Sequence, residues 1–238
     1  MKNNIGNLSL VMVAYNEADR IERVIREYYN DVFKLLPEGS EFIIYLDGPT
    51  DKTSAIVNGL AQELNLKVID CPDNKGYFQA VKNALGQAKN ENIFFSDSSG
   101  KLLAKDFWQL IKKIDDYDIV TGLRTKRTDP LHRRIMSLIG RLFISSLFFM
   151  PLYDYNTGFK LIKKNVLDSV LNECHTLPIS FSNELIIRAY KKGFKICNVP
   201  ISFQHRGKKD ITFAVPKLPK IITIEFGGLI KLRLELLK

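Results

Sequence analysis

Short apolar runs alternate with amphipathic stretches along most of this chain, and that alternation most limits what it can fold into. The run 8–14, Leu-Ser-Leu-Val-Met-Val-Ala, is followed by apolar residues at Ile21, Val24, Ile25, Tyr28, Val32, Phe33 and Leu36. That spacing is a helical stripe, and Pro37 and Gly39 stop it. A second run, 41–46, ends in Asp47-Gly48-Pro49-Thr50-Asp51, where Thr50 or Asp51 can cap the next helix. A short strand over 66–69, a loop at Asp73-Asn74-Lys75-Gly76 and a helix over 77–88 follow, then a strand over 92–96, a helix over 105–114 and a strand over 118–121. Continuous apolar runs suit strands covered on both faces. Strands alternating with helices imply a mostly parallel sheet with right-handed crossovers.

The strand over 92–96 delivers Asp97, Ser98 and Ser99 to the edge of that sheet before Gly100 and Lys101 turn the chain. Ligands of open α/β sheets bind beyond the carboxyl ends of the strands, so a carboxylate there suits a metal or a phosphate. The same Asp also suits a turn or helix cap. After Gly122 the pattern changes. Residues 122–129 read as a basic loop with Arg124 and Arg127, and 133–150 as an unusually apolar helical region carrying Arg133, Arg134 and Arg141. Strands at 160–162 and 193–201 complete the pattern.

The formal net charge of +9 over 238 residues favours an anionic partner. More than half of it lies in the tail 206–238, where eight Lys or Arg face three acids among many Ile and Leu. Such a tail fits an interfacial membrane segment; it equally fits a last helix packed on the core. Cys71, Cys174 and Cys197 have no metal-type spacing and read as reduced, buried thiols. The apolar run at 8–14 is soon followed by Glu17 and reads as a strand, not a signal peptide. No stretch reaches the length of a spanning helix. No Gly-x-Gly-x-x-Gly follows the first strand, which argues against a nicotinamide dehydrogenase. No basic Gly-rich loop stands there either, which argues against a nucleotidyltransferase. No nucleic-acid motif is present, so nucleic acid is not the expected partner.

Tyr15-Asn16-Glu17, Asp47-Gly-Pro-Thr-Asp51, Asn74-Lys75-Gly76, Asp97-Ser-Ser99, Gly122-Leu-Arg124, Asp154-x-x-x-Gly158-Phe159, Glu184 and Val199-Pro200 before Arg206 form an ordered set. The set resembles the family 2 glycosyltransferases, and within them the dolichyl- and polyprenyl-phosphate sugar synthases. The resemblance implies an α/β fold of the GT-A type, a three-layer αβα sandwich, over residues 1–205. The region 133–153 would form an interfacial helix within it, and 206–238 a basic amphipathic tail. It implies a hexosyltransferase moving a sugar from a UDP- or GDP-sugar to an isoprenoid lipid phosphate, with inversion. The setting would be an anionic membrane surface, peripherally on its cytoplasmic side. The alternatives are a nucleotide-sugar-binding relative with weakened catalysis, or a family 2 transferase acting on another saccharide.

Carried over by resemblance, Val13, Tyr15, Glu17, Tyr45 and Asp47 would hold the nucleoside, and Asp97 would be the first acid of an Asp-x-Asp motif. Ser98, Ser99, Lys101, Arg206 and Lys209 would surround the donor. Arg124 would meet a phosphate, and Arg133 with Ser137 would grip the acceptor phosphate. Glu184 reads as a loop-ordering carboxylate. Ser99 replaces the usual second acid, and Lys101 stands two residues beyond it. Magnesium or manganese, implied by the resemblance, prefers carboxylate oxygens. The expectation is therefore reduced metal dependence with activity kept, Lys101 supplying charge to the leaving diphosphate.

Overall fold

The computed structural model describes residues 6–125, 131–151, 154–177, 179–204 and 218–237, with backbone only at 131–133 and 218–221. Among these residues seven strands form one sheet in the order β3-β2-β1-β4-β6-β5-β7. They are β1 (Leu8–Ala14), β2 (Glu41–Asp47), β3 (Lys67–Cys71), β4 (Asn92–Asp97), β5 (Ile119–Thr125), β6 (Phe159–Lys163) and β7 (Ile196–Ser202). Every pairing is parallel except those of β6, which runs antiparallel to both β4 and β5.

Alternation along the strands splits the core into two apolar layers. In β1, Leu8, Leu10, Met12 and Ala14 face one layer, and Val11 and Val13 the other. Helices α1 (Ile21–Asp31), α2 (Thr53–Leu64) and α4 (Phe107–Ile111) cover the first face. The second carries α3 (Tyr77–Gly86), α5 (Leu131–Phe148), α6 (Lys164–Val170), α7 (Phe181–Lys191) and α8 (Leu218–Glu235). The sandwich expected from the sequence is thus the architecture observed.

Two local readings change, and for the tail the core-packed alternative is the one observed for α8. Residues 122–125 are not loop: they extend β5, with Arg124 opposite Ile201 and Thr125 opposite Ser202 of β7. Pairing with β7 keeps this polar stretch extended where its side chains give no strand signal. The helix expected over 105–114 is a single turn at Ala104–Asp106 followed by the short α4. In the tail, Leu229 and Leu232 of α8 are buried in the core. Glu235 of α8 also reaches Arg188 of α7 at 2.8 Å. Among the described residues no helix is long and apolar enough to cross a membrane.

Candidate active site

The strand order reverses between β1 and β4, the place where such sheets bind ligands. Register sets Val13 between Tyr45 on β2 and Asp97 on β4. The Tyr45 hydroxyl accepts from Asn83 Nδ2 at 3.1 Å, and burial pushes its pKa up. Beyond β1 the backbone turns through Asn16 at φ 48°. Asn16 Oδ1 takes the Thr50 N–H at 2.8 Å, and the Glu17 N–H donates to Thr53 Oγ1 at 2.8 Å. Asp51 accepts the N–H groups of Thr53 and Ala18, so the loops after β1 and β2 are laced into one wall. Tyr15 stands exposed on that wall, and the Glu17 carboxylate meets Arg20 at 2.8 Å.

Asp47 turns inward. Its two oxygens accept the N–H groups of Lys75 and Gly76 at 2.9 and 3.0 Å. Gly48, at φ +61°, lies against the backbone of Asp73 and Asn74 so closely that a Cβ would overlap it. The Asp-Gly pair therefore fixes the 73–76 loop.

At the end of β4 the Asp97 N–H donates to the Gly158 carbonyl at 2.9 Å. A Cβ on Gly158 would occupy the space of the Asp97 carboxylate. Burial pushes the Asp97 carboxyl up, against the pull of Lys160, Arg124 and Lys101. Lys160 of β6 is itself buried and donates to the Thr157 carbonyl. Burial brings its ammonium down to about 7, although Asp154 and Asp97 both favour the charged form. Arg124 and Asp154 form a fork, Nε to Oδ2 and Nη2 to Oδ1 both at 2.9 Å. Burial acts to raise the Asp154 carboxyl, but the Arg124 hydrogen bonds outweigh it and hold it below the usual range. Two carboxylates, the Arg124 and Lys101 cations and the readily deprotonated Lys160 amine thus share one field.

Beside this cluster lies a cavity of about 270 Å³. Arg124 and Asp154 line one side, Ser137, Gly140, Arg141 and Ile144 of α5 another, and Asn183 of α7 with Glu225 of α8 the rest. The structure thus brings Val13, Tyr45, Asp97, Ser98, Ser99, Lys101, Arg124 and Ser137 to one edge of the sheet. Arg133 falls in the first turn of α5; its side chain, and all of Arg206 and Lys209, lie outside the described residues. Glu184 orders a loop as expected, accepting the N–H groups of His175, Thr176 and Leu177 and pairing with Arg188. Sequence reasoning missed Lys160, because one lysine opening a strand looks like a solvated end. Its position directly after Gly158-Phe159 was the available signal.

A metal would find few ligands here. Among the described residues no three His, Cys, Asp or Glu side chains group to hold one. Asp97 is the one carboxylate of the cluster not forked by an arginine, so a divalent ion would depend on the donor's diphosphate for its other charged ligands.

The sheet, with its carboxylate and cations at the point where the strand order reverses, is of the GT-A type. The model of Glycosyl transferase family 2 matches residues 9–175, and the chain belongs to that family. Glycosyltransferase AglD of Haloferax volcanii is 24% identical over 212 residues, covering 84% of this chain but 33% of AglD. The dolichyl-phosphate beta-glucosyltransferase of Dictyostelium discoideum is 26% identical over 227 residues, 85% of this chain and 68% of that protein. Glucosyl-3-phosphoglycerate synthase from Mycobacterium tuberculosis, solved with UDP, shares the fold at a TM-score of 0.72 and 17% identity, covering 95% of this chain and 80% of its own. The same enzyme solved with Mn2+ and UDP-glucose gives 0.70 at 19% identity, covering 95% and 78%.

Proposed function

We propose that this protein transfers a hexose from a UDP- or GDP-sugar to a polyprenyl phosphate, by direct displacement with inversion, at the cytoplasmic face of a membrane. The observation that carries this reading is the cationic surround of Asp97, made by Lys101, Lys160 and Arg124, next to a cavity under α5. Two phosphate-bearing substrates repel each other, and fixed cations where they meet offset that repulsion. A lipid phosphate is already anionic near neutral pH, so positioning matters more than a general base. Val13, Tyr15, Glu17, Tyr45 and Asp47 serve the nucleoside, directly or through the 73–76 loop. Ser98, Ser99 and Lys101 face the diphosphate. Arg124, Arg133 and Ser137 receive the acceptor phosphate, and Arg206 and Lys209 close over the donor.

The outward side of α5 supports the membrane setting. Ile135, Leu138, Ile139 and Leu142 are all exposed, a helical stripe of a kind that lies in a bilayer interface. With one available carboxylate, and Arg124, Lys101 and Lys160 around it, the site works with reduced dependence on magnesium or manganese. The test is calorimetric titration with UDP and GDP, each with manganese and with chelator, followed by transfer to a polyprenyl phosphate. Binding of one nucleotide under both conditions, with transfer, is expected. Binding only with manganese removes the reduced dependence. Nucleotide binding without transfer establishes the weakened relative that Ser99 suggests.

A further inference from the structure

Buried polar groups are almost always hydrogen-bonded, and an unpaired one points to something missing from the protein alone. Three residues lining the 270 Å³ cavity carry such an atom: Arg141 Nε, Asn183 Oδ1 and Glu225 Oε2. They come from three different helices, α5, α7 and α8. Asn183 is 7% exposed, and its Nδ2 donates to Glu225 Oε1 at 3.4 Å, so the amide presents its oxygen as the unpaired atom. The set is one donor and two acceptors, one of them a carboxylate.

That inventory selects the ligand. A phosphate would satisfy Arg141, but it has no hydrogen to give Asn183 and would face the Glu225 carboxylate. An apolar chain would satisfy none of the three. A hydroxyl accepts and donates at once, so a neutral ring with several hydroxyls answers all three atoms. We propose that the part of this cavity lined by Arg141, Asn183 and Glu225 is the subsite for the hexose ring of the donor, Arg124 and Ser137 of the same cavity being left to the acceptor phosphate. The inference rests on the transferase reading above and names which residues choose the sugar. The C-terminal helix becomes part of donor selection through Glu225. A neutral hexose fits, whereas a uronic acid would set its carboxylate among Glu225 and Asp154.

The test uses the full chain with UDP and UDP-glucose, and with GDP and GDP-mannose, measured by calorimetry and by transfer. The pair that the unaltered protein binds is then carried to Arg141→Met, Asn183→Ser, Glu225→Leu and Glu225→Gln. Each of the first three should weaken nucleotide-sugar binding about tenfold, the usual scale of a hydrogen bond involving a charged or buried partner. Nucleotide binding should stay within about twofold in each, because in this proposal these atoms meet the sugar and not the nucleotide. Glu225→Gln, which retains one acceptor oxygen, should lose less than Glu225→Leu. Arg141 is only partly buried, so its variant keeps the test alive if a fully buried substitution lowers the melting temperature. Equal losses for nucleotide and nucleotide-sugar would make these residues merely structural and overturn the subsite. No loss in either would mean that the cavity holds water only. If the unaltered protein transfers sugar while the variants behave like it, the subsite fails and the transferase stands. If it binds no nucleotide-sugar at all, both fall.

Discussion

Helices α1 and α5 are amphipathic in opposite senses. Helix α1 buries Ile21, Val24, Ile25 and Tyr28 against the sheet and turns Glu22, Arg23 and Arg26 to solvent. Helix α5 does the reverse over its first turns: Ser137, Gly140 and Arg141 line the cavity, and Ile135, Leu138, Ile139 and Leu142 point away from the protein. Both have helical periodicity, which reports that a helix has two sides but not which side is inward. What lies opposite each face decides. Water lies opposite the charged side of α1, and the apolar side of α5 asks for a non-aqueous neighbour.

The ion pairs of the two regions differ likewise, and the largest expected effect lies there. Asp154→Ala leaves the Arg124 guanidinium without its fork and should cost about 3–5 kcal/mol, the scale for breaking one side of a buried pair, measured by urea unfolding. The pH dependence has a fixed sign. The folded-state pKa of Asp154 is depressed, so its contribution is complete above the ordinary carboxylate value. It is lost as pH falls through the lower folded-state value. Asp154→Asn should remove that part of the acid transition. An unchanged acid profile would mean that the fork is not holding the carboxylate down.

Next is the core side of α1. Ile25→Ala should cost about 2–5 kcal/mol by the same measurement, while Ile139→Ala on α5 should stay within about 0.5 kcal/mol. Comparable losses would show that the outer side of α5 is covered by protein and would break the contrast. Smaller still is the effect of Ile139→Glu with Leu142→Glu on sedimentation with anionic vesicles. Two removed apolar side chains should weaken it by about 2–3 kcal/mol, allowing for partial burial, with nucleotide affinity and melting temperature unchanged. Smallest is Glu63→Ala beside α1. Its partner Arg26 lies at 2.7 Å, but both side chains are well exposed, so the expected change in the urea midpoint is at the edge of detection.

Much of this molecule was legible before any coordinate. The apolar runs ending in Glu17, Asp47 and Asp97 announced parallel strands with polar groups at their tips, because burial on both faces leaves few residues to choose from. The reading weakened where partners, not composition, set the conformation. Gly122-Leu-Arg-Thr looks like loop and is strand because β7 lies alongside it. Lys160 looks like a strand end and is buried because Asp97 and Asp154 flank its charge. Arg141, Asn183 and Glu225 lie about forty residues apart, and only the docking of α8 against α5 and α7 gathers them round one cavity. No local pattern encodes such a meeting.

Gly158 offers a way to move the site's carboxylate with a single methyl group. Its backbone is not in the left-handed region reserved for glycine, so alanine there meets no dihedral penalty. The added carbon would instead evict the Asp97 carboxylate from its seat. Gly158→Ala would therefore displace the Asp97 carboxylate while leaving the number of ionisable groups, and the net charge, unchanged. Such a variant makes a matched control for vesicle and nucleotide measurements, since it separates geometry from electrostatics in a way that no substitution of a charged residue can.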